Sequence, residues 1–515
     1  MSTMTQTPQK GSSGLDAWFE ITKRGSDMGR EIRGGIVTFI TMAYIVVLNP
    51  LIMGFMPDKT GNFLGWATKN VGNCQAGVTP GFDGKPVGVC VDASHIGVPN
   101  LAAIAAATAI LAGVLTLAMG IYGRMPIALA AGLGLNGFVT YGLAANGSWS
   151  HAMGLVVIEG LLILILVLTG FRRAVFEAVP PSMRYAIGVG IGLFITLIGF
   201  ADSKIVQKGV VISTLGSGDR LTTWPQVVFC IGLLLTSVLV AKKVKGGILV
   251  GVISTTVVSA LVEALFVKTQ KDPVTGNWAN SQWGLNVPKI DGSVFGTPDL
   301  SLFGHVDVMG ALSNFGLATA LAIFTLMLSD FFDTVGTVYG IAAEGDLLDE
   351  KGDVPHLQEV LVVDSVAAAA GGFAGTSSNT SYIESASGVG EGARTGLASV
   401  VTGALFLVAA LFAPLVKFIP HEAATPALVV VGFLMMTQVA KIEFSDYTVG
   451  IPAFLTIVMI PFTYNIAVGI GAGFIAFVVL RLATGRSKEI KPLMYVAAGA
   501  FLIYFLQTPL GEWLL

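Results

Sequence analysis

Two stretches decide the reading of this chain. Gly371-Gly-Phe-Ala-Gly-Thr-Ser-Ser-Asn-Thr-Ser-Tyr-Ile-Glu-Ser385 and Met125-Pro-Ile-Ala-Leu-Ala-Ala-Gly-Leu-Gly-Leu-Asn136 each lie among long apolar runs, yet both are short and glycine-broken. Neither reads as a plain membrane-spanning helix. Apolar runs with their Gly, Pro and charged breaks give seven spans before a polar stretch at 268–308: 34–55, 100–121, 125–145, 152–171, 182–200, 224–241 and 246–267. Seven more follow, at 309–342, 359–375, 377–390, 394–418, 424–441, 447–463 and 465–483. The two broken stretches are therefore the third segment of each seven. An odd number of passes per half puts the second half upside down, which predicts inverted-topology repeats. In each third segment an extended run should reach mid-membrane and hand over to a half-helix, near Gly132–Gly134 and near Ser377–Asn379. The two half-helix N-termini would then offer unpaired N–H groups to a polar solute. Taken singly, each stretch also reads as a Gly-rich helix packed closely on a neighbour.

Composition agrees with an all-α polytopic membrane protein. Of 515 residues, 53% are hydrophobic and only 12% charged, about half the charged fraction of a soluble surface. The net charge is −3 with no basic cluster, so no nucleic-acid footprint is present. The polar first 33 residues form the N-terminal portion, without the apolar core of a cleavable signal. With that end cytoplasmic, inner segments carry 19 of the 29 Lys and Arg residues, among them Arg172, Arg173, Lys242, Lys243 and Lys245, against 10 outside. The positive-inside rule favours this orientation. The domain division is then a first repeat at 34–267, an extracytoplasmic loop at 268–308, a second repeat at 309–483 and a C-terminal segment at 484–515, whose stretch 493–510 suits an interfacial helix.

A carboxylate at mid-bilayer is costly unless paired, hydrated or protonated. Asp330 and Asp333 stand three residues apart on one helix face, where they could share a proton. Glu384 follows the proposed break of the tenth segment by about two turns, with Tyr382 just before it, and Asn136 holds the matching place in the third. Glu159, Glu263 and Asp364 are isolated carboxylates on apolar helices and read first as structural or helix-end residues, Asp364 being the one packed closest to the site. Cys74 and Cys90 fall in the outer loop between the first two spans, and a disulfide there would be worth on the order of 3 kcal/mol; two free thiols are the alternative. Cys230 reads as packing. The three cysteines form no metal or cofactor framework, and the five histidines (95, 151, 305, 356, 421) read as loop or interface residues. An enzyme is not indicated.

Thr-Phe-Ile-Thr-Met-Ala-Tyr-Ile-Val-Val-Leu-Asn-Pro (38–50), Gly-Leu-Gly-Leu-Asn-Gly-Phe (132–138), Asp-Phe-Phe-Asp-Thr-Val-Gly-Thr (330–337), Gly-Thr-Ser-Ser-Asn-Thr-Ser-Tyr-Ile-Glu-Ser-Ala-Ser-Gly-Val (375–389) and Arg394-Thr395-Gly396-Leu397 strongly resemble the azaguanine-resistance-type purine permeases of the nucleobase/ascorbate transporter group. The resemblance runs from about residue 15 to 510. It implies fourteen segments in two inverted sevens, a core of segments 1–4 and 8–11, a gate of 5–7 and 12–14, short strands in segments 3 and 10, a homodimer, and proton-coupled uptake of hypoxanthine, guanine or adenine. By motif position, Asp333 and Glu384 would hold the base, Asn136 would supply the polar group of the third segment, and Tyr382 would line the pocket. The chain departs from uracil and xanthine relatives at Thr337, where some carry His or Asp, which weakens a His-based proton step.

A purine presents ring N–H donors and N or O acceptors in one plane. Carboxylates at Asp333 and Glu384 suit the donors, while Asn136 and the backbone N–H groups of Thr376, Ser377 and Ser378 suit the acceptors. Phe138 and Phe39 are the aromatic candidates to stack on the base, with apolar packing the better reading for either. Asp330, Asp333 and Glu384 are the candidates for the coupled proton. Opposed half-helix N-termini would also suit an anion such as sulfate or bicarbonate, against which the carboxylates argue.

Overall fold

The computed structural model describes residues 14–506, apart from 60, 65–77, 81–85, 89–99, 170–178, 209–212, 216–219, 272–277, 280–281, 284–285, 291, 314–315 and 350–352. Cys74 and Cys90 lie outside the described residues. The spans are α1 (Met28–Met53), α2 (Leu101–Gly123), a third segment made of β1 (Leu129–Ala131) and α3 (Leu133–Gly137), α4 (Trp149–Leu168), α5 (Pro181–Asp202), α6 (Trp224–Ala241) and α7 (Gly247–Val267). The second set is α8 (Leu317–Glu344), α9 (Leu357–Phe373), β2 (Asn379–Ser381) with α10 (Ser385–Gly390), α11 (Gly396–Phe418), α12 (His421–Lys441), α13 (Tyr447–Thr463) and α14 (Ile466–Ala483). Among the described residues ten of these helices are long and apolar enough to cross a membrane. A last helix, α15 (Pro492–Phe505), has 14 residues, about 21 Å of helix, short of a hydrocarbon core of about 30 Å.

Local chemistry starts these helices where they start. Asp27, Asn100, Ser148, Thr395, Asp446 and Asn465 each accept a backbone N–H at the head of a span, and Thr223 with Gln226 makes a capping box on α6. The Arg394–Leu397 motif has a packing role of this kind. Glu31 of α1, fully buried, accepts the backbone N–H groups of Arg394 (2.8 Å) and Thr395 (3.3 Å). A Cβ on Gly396 would collide with the Gly120 carbonyl, so only glycine lets α11 approach α2 this closely.

The packing repeats with a shift of seven. α2 packs on α11 as α9 packs on α4; α6 packs on α7 as α13 packs on α14; α5 packs on α12, its own counterpart. The centre of this pseudo-symmetry is a two-stranded antiparallel ladder of β1 and β2, with Leu129 opposite Ser381, Ala130 opposite Thr380 and Ala131 opposite Asn379. Strands need pairing inside a membrane, where no water can satisfy the backbone. Here each strand is the other's partner, and its outer edge is served by the preceding helix. Thr116 of α2 donates its hydroxyl to the Leu129 carbonyl (3.2 Å) and takes the Leu129 N–H (2.9 Å). Asp364 of α9 takes the Ser381 N–H (3.0 Å).

The breakpoint of the third segment falls where the sequence puts it, with α3 beginning at Leu133 after Gly132. In the tenth segment it is displaced. Ser377–Asn379 leads into and begins the strand rather than the half-helix, which starts at Ser385. Glu384 is therefore the N-cap residue of α10, not a residue two turns along it. The reason is the ladder: its three pairs need 379–381 extended, and Tyr382 continues it by donating its N–H to the Ala128 carbonyl (2.9 Å).

Candidate functional site

The two half-helices begin at opposite ends of the ladder, α3 beside Ser378 and α10 beside Ala128. The predicted residues divide into two groups around it. Asp333 is exposed and Glu384 half-buried. The two interact electrostatically with each other, and Tyr382 with both. Asp333 begins an exposed stripe along α8 that continues through Gly336, Gly340 and Glu344. The stripe runs beside the tenth segment: a Cβ on Gly340 would lie 3.3 Å from Ile383, and Ile383, 52% exposed, adjoins Glu384. Nothing lies within 4 Å of a Cβ on Gly336. These residues border an open space that reaches the end of α8. That end lies at the same face of the molecule as the start of α1, since Gly345 abuts Val389, and Gly34 abuts Gly388 and Ala393.

The second group is closed. Asn136, Asp330, Thr376, Ser377 and Ser378 are fully buried. Asn136 donates from Nδ2 to Asn49 Oδ1 (2.6 Å), and Asn49 in turn donates to Thr108 Oγ1 (2.8 Å) and to the Thr376 carbonyl (3.4 Å). Asn136 Oδ1 receives no donor from the protein. The Thr376 N–H is spent on the Gly371 carbonyl (2.9 Å), and Ser378 donates its hydroxyl to Asp330 Oδ2 (3.1 Å). Ser377 sits in the left-handed region at φ 68°, a strained choice for a residue with a side chain. It turns the chain from α9 into β2.

Several residues act here that sequence reasoning passed over. Tyr44, fully buried at a break in α1 after Ala43, donates its hydroxyl to the Glu384 carboxylate. Asn49 ties α1 to α2 and to the tenth segment. Both stand in the quoted 38–50 stretch, where a buried tyrosine and asparagine in an apolar run were the available signal. Asp364 is read correctly as structural: besides the Ser381 N–H it accepts the hydroxyls of Ser381 (2.8 Å) and Thr334 (2.7 Å). Glu263 is likewise structural, accepting from Thr269, Trp283 and Lys289. Tyr382 commits its hydroxyl to the Ala131 carbonyl (2.5 Å), so it locks the ladder. Phe39 packs edge-on against Phe406 (centroids 5.1 Å apart) and Phe138 is buried. Cys230 is a half-buried free thiol. His421, the first residue of α12, is buried against Phe55 and the Leu51 carbonyl rather than at an interface.

The comparisons with known proteins agree with this architecture. The transmembrane domain of the cyanobacterial bicarbonate transporter BicA superposes with a TM-score of 0.55 at 11% identity, covering 87% of this chain and 97% of that one. The structure of SLC26A9 gives 0.56 at 11% identity, covering 89% and 66%. These likenesses speak for the fold, two inverted sevens. The chain is 33% identical to the guanine/hypoxanthine permease PbuG of Bacillus subtilis over 96% of this chain and 99% of that one, and 31% identical to the adenine permease AdeP of Escherichia coli over 98% of each. Residues 86–471 match the Permease family, that of the xanthine/uracil permeases. With that match, relatives of over 30% identity along nearly the whole length, and a ladder-centred fold of fourteen segments, the chain belongs to the xanthine/uracil permease family and is a polytopic membrane transporter, not an enzyme.

Proposed function

We propose that this protein carries purine nucleobases (hypoxanthine, guanine or adenine) into the cell across the plasma membrane together with protons, by alternating access. The observation that carries the reading is the pair of carboxylates, Asp333 and Glu384, bordering one open space at the N-terminus of α10. A base seated there can donate ring N–H groups to both carboxylates, while the first-turn N–H groups of α10 are already spent on the carbonyls of Tyr382, Ile383 and Glu384. A site built from hydrogen-bonding groups rejects solutes that leave them unpaired, and carboxylates repel anions. Full-length similarity to guanine/hypoxanthine and adenine permeases supports the same substrate class. Asn136 Oδ1, buried without a donor on the closed side of the ladder, is a contact for water rather than for a base on the open side.

The packing suits movement of two bodies. α1–α4 associate with α8–α11, and α5–α7 with α12–α14. We read the first set as a core bearing the ladder and the second as a gate. At the end of the molecule away from the N-terminus, Tyr141 from the third segment meets Phe194 of α5 and Tyr464 after α13, with ring centroids 6.4 and 5.9 Å away. The core and gate are thus latched at that end, while the Asp333 stripe is open at the other. With the N-terminus cytoplasmic, as the positive charges favour, this is the inward-open state.

Uptake of radiolabelled hypoxanthine into proteoliposomes, with and without an inward proton gradient and with unlabelled purines, uracil and sulfate as competitors, tests the reading. Gradient-driven accumulation blocked by purines and indifferent to sulfate is the expected result. Glu384→Gln should abolish uptake in a protein that still elutes as a single folded species; unchanged uptake would remove Glu384 from the site.

A further inference from the structure

Behind β2, on the closed side of the ladder, lies an acid pair that the solute site does not use. Glu159 stands in the middle of α4 and is fully buried, as is Asp330 of α8. The two side chains are in contact, and Ser378, the residue before β2, touches both. Its hydroxyl donates to Asp330 Oδ2 (3.1 Å). Asp330 Oδ1 and both oxygens of Glu159 receive no donor from the protein. The other titratable groups around the pair are acidic: Asp364 on α9 interacts with both, and Asp333 lies one turn further along α8. Among the described residues no Lys, Arg or His bonds either member of the pair. Two carboxyl groups pressed together in a low-dielectric interior are stable when one proton lies between them, and without it their repulsion is uncompensated.

We propose that Glu159 and Asp330 together hold the coupled proton, in a chamber separate from the open side where the base sits. The inference rests on the proton-coupled reading above and deepens it: Asp330 is one of the expected carriers, but its partner is Glu159 of α4 and not Asp333, whose side chain faces the opening. The link to the solute runs through Ser378. Its hydroxyl reports on the pair, and its carbonyl accepts the Gly132 N–H (2.9 Å) that joins β2 to the head of α3. When the proton leaves, two adjacent negative charges compete for one hydroxyl. The ladder that positions Glu384 is then biased away from the geometry that holds a base. No bond is made or broken beyond the transfer of that one proton, which enters from water on one side and returns to water on the other.

Three measurements on the full-length protein test this. Infrared difference spectra of the purified transporter, without solute, between neutral and alkaline pH should show a protonated carboxylic acid band that Glu159→Gln and Asp330→Asn both remove. A band unchanged in both variants overturns the proposal. Second, hypoxanthine binding to the wild type should weaken as the pH rises through the titration, by up to about tenfold per pH unit for one linked proton, whereas in Glu159→Gln it should be independent of pH. A merely structural role would lower affinity at every pH and leave the slope, which would also overturn the proposal. Third, gradient-driven uptake in proteoliposomes separates the two claims. Wild-type uptake indifferent to the proton gradient overturns symport itself; proton-driven accumulation that survives in Glu159→Gln leaves symport standing and overturns the pair. Accumulation driven by a sodium gradient at clamped pH, and lost in Glu159→Gln, would assign the chamber to sodium and overturn the proton. Both variants are compared as monodisperse protein in detergent, and Asp330→Asn carries the binding and uptake tests if Glu159→Gln does not fold.

Discussion

Tyr44 and Asn49 stand five residues apart on α1 and serve the two sides of the ladder. The first supplies a hydroxyl to Glu384 on the open side, the second bridges Asn136, Thr108 and the Thr376 carbonyl on the closed side. A hydrogen bond to a charged group contributes about 1.5–3 kcal/mol, so Tyr44→Phe should weaken hypoxanthine binding by roughly ten- to a hundredfold while leaving the protein folded. Equal affinity in an equilibrium binding assay would show that Tyr44 does not hold Glu384 in its working position. Legibility at this scale followed chemistry more than motif. Asp333, Glu384, Asp330 and Asp364 announced themselves as charges in apolar runs, because burying a carboxylate demands a reason. Tyr44 and Asn49 carried a weaker signal, since neutral polar residues occur throughout membrane helices as interhelical contacts. Which carboxylates face an opening and which face each other depends on side-chain direction across four helices, and spacing along one helix does not contain it.

At the scale of elements, the latch and the loops that tie helix ends make separable predictions. Tyr464 closes against both Phe194 (5.2 Å) and Tyr141 (5.9 Å). Aromatic pairs contribute about 0.5–1.5 kcal/mol each, so on the alternating-access reading proposed above Tyr464→Ala should shift the population toward an outward-open state by roughly five- to a hundredfold. Labelling of a cysteine at Gly336 from the N-terminal side should slow accordingly, and an unchanged rate would mean the rings do not hold that end shut. On the opposite face Asp446, at the head of α13, accepts from the Thr448 hydroxyl (2.6 Å) and binds Arg486 (2.7 Å), while Arg481 bonds both Asp446 and Glu489. The Thr448 hydroxyl and then the Arg486 guanidinium hold the Asp446 carboxyl down at about 2. A depressed carboxylate stabilises the fold above its unfolded range and loses that contribution as the pH falls through its folded value. The melting-temperature difference between wild type and Asp446→Asn should therefore be constant from pH 7 to about 5 and shrink below about 4. A difference undiminished at pH 2.5 would show that the contact is not ionic. The half-helix of the tenth segment also shows where element reading stops: Gly and Ser density marked a break, but the strand pairing with β1 moved it from Ser377–Asn379 to Glu384.

For the whole molecule, the open stripe on α8 and the closed aromatic cluster at the other end are what the alternating-access reading proposed above takes as its inward-open state. A cysteine at Gly336, where an added side chain meets nothing within 4 Å, should react with a membrane-impermeant maleimide from the N-terminal side only, and hypoxanthine should protect it. Labelling from the opposite side, or indifference to the base, would place the opening elsewhere. Sequence by itself determined the fourteen segments, the inversion between sevens and the two broken thirds, because hydropathy, length and charge bias act locally and the bilayer leaves few alternatives. Tertiary structure alone decided that β1 and β2 are each other's partners, that Thr116 and Asp364 serve their outer edges, and that Glu159 meets Asp330. The ladder joins the two halves, Leu129 opposite Ser381, and so does the contact of Glu159 with Asp330. Both exist only once two inverted repeats close on one another, and Thr116 and Asp364, 13 and 17 positions from the strand residues they serve, take up their roles once the strands are paired.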